Sequence, residues 1–245
     1  MSRVVLELTV RQLAGRGRTL LMLALAFVPV MLAIIFRFAG DEADRQEFVA
    51  EVLYAAVVVT LVLPLTALVY GTAVLGAEIE DGTAVYIFAK PIARAKIVIS
   101  KLLAAWLATV ATVATSGLLA GSIVLAGTAE DGILIGFTVG LLCGALAYSA
   151  LFIFLSVLTS RALIAGLAYV FIWENLINGL FTGTRILSVR HYTLGIADII
   201  VDVPDRIFEA PLSPAPAVIA MALMATLATW LAVRRVERFE IGESS

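Results

Sequence analysis

Short charged stretches divide this sequence into six long apolar runs, at about 19–38, 52–76, 101–126, 133–158, 162–181 and 215–233. Roughly 20 consecutive apolar residues are enough to cross a bilayer, and lipid offers the backbone no hydrogen-bond partner, so such runs cross it as helices. The expected fold is therefore an all-α integral membrane protein of about six transmembrane helices, one membrane domain over residues 1–245. Composition agrees: 15% of residues are charged and mean hydropathy is +1.05, against roughly 25% charged residues in average soluble domains.

The charges that remain are sorted by side. With the amino terminus inside, the inner set is Arg3, Arg11, Arg16, Arg18, Lys90, Arg94, Lys96, Lys101, Arg161, Arg234, Arg235 and Arg238, and the outer set only Arg37, Arg45, Arg185, Arg190 and Arg206. That asymmetry satisfies the positive-inside rule with both ends cytoplasmic. The net charge of -2 offers no basic field for nucleic acid. Cys143 is the only cysteine, which rules out an intrachain disulfide, and His191 is the only histidine, which rules out a multi-histidine site.

Residues 3–14 read as an amphipathic surface helix, with Leu6, Val10 and Leu13 on one face and Arg3, Glu7 and Arg11 on another, interrupted by Gly15 and Gly17. Residues 39–51 are acidic and read as a solvated external loop. Pro64 in the second span bends it, as a hinge or as fixed shape. Gly117 and Gly121 in the third span, and Gly136, Gly140 and Gly144 in the fourth, form small-residue stripes that let another backbone approach, within the bundle or between two copies.

The most informative polar island is EIEDGTAVYIFAKPIARAKIVISK, Glu78 to Lys101. It opens on Glu78, Glu80 and Asp81 and closes on Lys90, Arg94, Lys96 and Lys101. Asp81 or Thr83 can cap a short helix that carries Tyr86 and Phe88 before Pro91 stops it. Acidic-x-acidic, Gly82-Thr83, a short apolar helix, Pro91 and then Arg94 resemble the first cytoplasmic loop of ABC-transporter permeases of the type-2 class, an exporter-like membrane family.

That resemblance implies a coupling helix within 77–100 that docks into a separate ATPase subunit, with Glu78, Glu80, Asp81, Gly82, Thr83, Tyr86, Phe88, Pro91 and Arg94 as docking residues. It also implies a surface helix over 1–18, short external helices over 182–214, and a second permease copy or a similar permease. Two ATPase subunits would hold the ATP and Mg, with no cofactor on this chain. The setting implied is a prokaryotic cell membrane.

Glu174 is the one anomalous residue inside a span. A carboxylate at a helix centre costs about 3 kcal/mol to insert, so it faces protein or water. With Asn178 one turn on it is either a polar lining for a substrate path, together with Arg37, or a structural anchor paired with Arg37 or Arg185 or held by hydrogen bonds. Residues 182–214 are too polar and broken to span and suit short amphipathic or re-entrant helices on the outer face, with His191 at the surface.

No GxxxxGK[ST] phosphate loop, HExxH or GxSxG is present, and no serine, histidine and acid set is legible. Nucleotide hydrolysis is thus expected elsewhere. The competing functions are an ion-coupled secondary transporter using Glu174 and a non-transporting membrane assembly subunit.

Overall fold

The computed structural model of the chain describes residues 16–80, 93–129 and 131–238. The surface helix expected over 3–14 lies outside them, as do Asp81, Gly82, Thr83, Tyr86, Phe88 and Pro91. Of Glu78 and Glu80 only the helical backbone is described.

Helix α1 covers Arg16–Ala39 and includes Pro29. Helix α2 is continuous from Arg45–Glu47 through a wide π-helical stretch, Phe48–Val62, into Leu63–Glu80. Helices α3 (Arg94–Leu125) and α4 (Ile133–Leu158) follow. Helix α5 runs over Ala162–Leu180 and is π-helical at Tyr169–Ile177. A 3-10 turn, Thr182–Leu187, leads to the short helix α6, Val189–Ala197, and α7 closes the bundle at Pro214–Glu237. Six of these are long and apolar enough to span a membrane, so the all-α, six-span expectation holds.

Two boundaries differ from the sequence reading, each because polar side chains found partners inside the bundle. Residues 39–51 are not an open loop, since α2 already starts at Arg45. Arg45 is buried and donates to Glu42 Oε1 at 2.6 Å and to Thr128 Oγ1 at 3.4 Å, and Gln46 Nε2 reaches Asp131 Oδ2 at 2.7 Å. Those bonds tie the start of α2 to the turn between α3 and α4. At the opposite end α3 begins at Arg94 rather than near Lys101, which places Lys101 within the helix, 1% exposed.

In α2 the Leu63 N–H bonds to Val58 O, five residues back. Pro64 follows, where the ladder narrows to α spacing. Because proline has no N–H to place, the register changes there without forfeiting a bond.

Helix α4 is the centre of the bundle and packs on α2, α3, α6 and α7. Tyr54 of α2 stacks on Phe137 of α4 at 4.6 Å between ring centres and donates to Gly117 O at 2.9 Å. A Cβ at Gly117 would sit 3.0 Å from the Tyr54 ring, so this small-residue pair makes room for an aromatic within the chain.

The glycine stripe of α4 does the same for α6. A Cβ at Gly136 would lie 2.7 Å from Ala197 O, one at Gly140 2.6 Å from Thr193 O, and one at Gly144 would collide with Thr193 Oγ1. Helix α6 therefore runs antiparallel to α4 in backbone contact with it, and its first turn lies roughly 18 Å along α4 from Gly132. It re-enters the bundle to about the middle of α4, as one of the sequence readings for 182–214 has it, but its residues are buried within the bundle. The stripe packs inside the chain.

Burial is uneven. In the most apolar windows of α2, α3 and α4, 67%, 56% and 61% of residues are buried, against 17%, 22% and 22% in α1, α5 and α7. The last three present most of their surface to lipid or to other chains.

Candidate functional site

The carboxylate of Glu174 is 1% exposed and sits against the start of α6. Its Oε1 accepts from Tyr169 Oη and from the Val189 N–H, both at 2.9 Å, and its Oε2 accepts from Ser188 Oγ. Tyr169 reaches it because the helix is π-wound between them, which brings residues five apart onto one face. Ser188 caps α6, and Val189 carries one of the amides that a helix start leaves unpaired. A negative charge there meets the positive end of the helix dipole.

Three charge-assisted hydrogen bonds, each worth about 1.5–3 kcal/mol, offset the roughly 3 kcal/mol of inserting the charge. Among the described residues the donors are hydroxyls and an amide, not an arginine. Arg37 is exposed at the end of α1, which packs on α2 and α3, whereas α5 packs on α4 and α2. The structure does not bring Arg37 to Glu174. Asn178 is buried one turn on and donates to Trp173 O at 2.8 Å, with its Oδ1 unpartnered. The hydroxyl of Tyr148 lies near the same carboxylate but off hydrogen-bonding geometry.

His191 is not at the surface, as its sequence context suggested, but 5% exposed, because α6 is enclosed by the bundle. Its Nδ1 lies 2.8 Å from Ser188 Oγ, which also accepts from the His191 N–H at 3.3 Å. The single Ser188 proton goes to Glu174, so Nδ1 carries the imidazole proton. Burial first, then the charges of Arg190 and Arg185, pull the ring from the usual 6.5 down to about 4, and it stays neutral at physiological pH.

An acid, a serine and a histidine thus do meet, though the sequence disclosed no such set. The serine stands between the other two, with its proton on the carboxylate and its lone pairs occupied. A nucleophilic serine needs the histidine in the middle, so this trio is an anchor for α6.

At the basic end of the bundle a second set of contacts joins three spans. Arg94 Nη1 donates to Val236 O at 2.6 Å and Glu237 O at 2.9 Å, closing carbonyls that the end of α7 leaves open. Lys101 Nζ donates to Val74 O of α2. Arg94, expected among docking residues, is therefore engaged by α7, and α2, α3 and α7 are tied together where residues 81–92 join α2 to α3.

Residues 16–181 match the family model described as ABC-2 family transporter protein. The chain belongs to this family. Among curated proteins none matches it. The ABC-2 family supplies membrane permeases of ABC transporters, typically the non-catalytic component that works with an ATPase subunit. The match ends just past α5, so Glu174 and Asn178 of this permease fall within it, and Ser188 and Val189, which bond Glu174, lie beyond it.

Sequence reasoning missed Tyr169, Ser188 and the Val189 amide as partners of Glu174, and His191 as the partner of Ser188. A cap-type residue, Ser188, before a short apolar run was the available signal for a helix start.

Proposed function

We propose that this chain is the membrane subunit of an ATP-driven exporter, coupled through residues 78–101 to a separate ATPase. Two copies, or this chain and a similar permease, enclose the transport path. Two ATPase subunits, which hold ATP and Mg, dock on the loops. The basic end of the bundle faces the cytoplasm, with both termini there, in a prokaryotic cell membrane. The uneven distribution of Lys and Arg supports that orientation.

The observation that carries this reading, beyond family membership, is the tie made by Arg94 and Lys101. A force applied between α2 and α3 reaches α7 directly through two hydrogen bonds to its last carbonyls. Nucleotide can shift a membrane conformation only if the docked loop is held differently in each state, and a loop whose flanks are bonded to three spans transmits such a difference. The placement of Glu174 supports an anchor over a proton carrier, since three donors already occupy most of its acceptor sites.

The test is co-purification of the ATPase with the intact permease. A Gly82→Trp variant is expected to insert normally and to lose most of the bound ATPase. Unchanged association would refute docking at this loop.

A further inference from the structure

On the outward face of α7 a groove of about 910 Å³ runs between that helix and the segment 186–192. Its walls are apolar, from Pro216 and Ile219 through Leu223 and Leu227 to Trp230, with Ile186 and Leu187 opposite. The two hydroxyls that reach it are already used: Thr226 Oγ1 donates to Ala222 O at 2.7 Å, and Tyr192 Oη donates to Ile186 O. Along its length the groove offers a ligand no hydrogen bond from these groups, so its occupant there is hydrocarbon.

From Pro216 to Trp230 the groove follows α7 for about 21 Å, longer than the roughly 15 Å of one leaflet's core, and extended acyl chains can lie along it.

One end is charged. The Arg234 guanidinium lies 4.2 Å from the centre of the Trp230 ring, at the groove's rim. Arg235 is next to it in the last turn of α7, and Arg94 is bonded to the carbonyls just beyond. Glu237 is the opposing carboxylate among the described residues of this turn, leaving an excess of positive charge.

We propose that this groove is a binding site for an anionic phospholipid. An acyl chain lies along α7 against residues 186–192, and the phosphate is held at Arg234 and Arg235. The site does not depend on how the permease is coupled to an ATPase. It requires only that α7 face lipid.

The intact protein is reconstituted in phosphatidylcholine vesicles containing a tenth of either phosphatidylglycerol or phosphatidylcholine with a photoactivatable acyl chain. Adducts are mapped by peptide mass spectrometry. The phosphatidylglycerol probe is expected to label peptides holding 186–192 and 219–230 about fivefold above the phosphatidylcholine probe. Arg234→Ala, a change at an exposed side chain, is expected to remove that preference, and Ala220→Phe to displace the adducts from the groove. Equal labelling by the two probes, labelling indifferent to both substitutions, or a groove that neither probe reaches would each overturn the proposal.

Discussion

Replacing Glu174 separates an anchor from a proton carrier. Glu174→Ala leaves three donors, the buried ones on Ser188 and Val189 and the part-buried one on Tyr169, without their acceptor. At about 1–3 kcal/mol for each unsatisfied group, less the roughly 3 kcal/mol no longer spent on inserting a charge, the net loss centres near 3 kcal/mol. For a chain of this size that lowers Tm by about 6–12 °C.

Glu174→Gln behaves differently. The amide oxygen still accepts from Tyr169 and Val189, while its NH2 turns to Ser188 Oγ. Ser188 then donates to His191 Nδ1, and the imidazole shifts its proton to Nε2. Tyr169, Val189 and Ser188 each keep an acceptor, one N–H of the new amide gains none, and the loss falls to about 1–2 kcal/mol. Thermal unfolding of the detergent-purified protein followed by tryptophan fluorescence measures both. An anchor predicts that Glu174→Gln keeps near-normal stability and transport while Glu174→Ala loses both. If the glutamine variant were fully stable yet inert in transport, or if alanine cost nothing, the anchor would be refuted.

Acid should weaken the fold through His191. Its folded pKa, about 4, lies below the unfolded value near 6.5, so between those pH values the unfolded chain takes up a proton that the folded one refuses. Stability is thus level above pH 6.5 and falls by about 2–3 kcal/mol toward pH 4. His191→Asn, whose amide reaches Ser188 in place of Nδ1, should flatten that slope in unfolding measured from pH 7 to 4. Gly140→Ala places a methyl 2.6 Å from Thr193 O; backbone on both sides cannot yield, and a loss of about 1–3 kcal/mol is expected in the same assay. Arg94→Met opens the last carbonyls of α7, and the ATPase should stay bound while ATP-driven transport drops several-fold, a split visible by comparing pull-down with flux.

The spans were legible because hydrocarbon imposes one solution on a long apolar run. That rule does not reach residues whose polarity is satisfied by distant parts of the chain. Arg45 and Gln46 read as loop because their neighbours are acidic, yet they start α2 by bonding the turn that holds Thr128 and Asp131. Lys101 read as part of a charged loop, and it is buried against Val74 O. His191 looked exposed in a polar stretch, and the bundle closes over it.

The stripe at Gly136, Gly140 and Gly144 announced that some backbone approaches α4, since a bare Cα invites close contact. It could not say which backbone, because a stripe describes one face of a contact. Glu174 likewise announced a cost that the fold must meet. That it is met by the start of α6, from hydroxyls and an amide rather than from Arg37 or Arg185, depends on a helix returning to the middle of α4. Apolar length and charge placement are local quantities, and the sequence alone therefore determined the number of spans and the family. Pairing of a buried polar atom is settled by three-dimensional proximity, and only the packed bundle decided which side chains share the membrane interior.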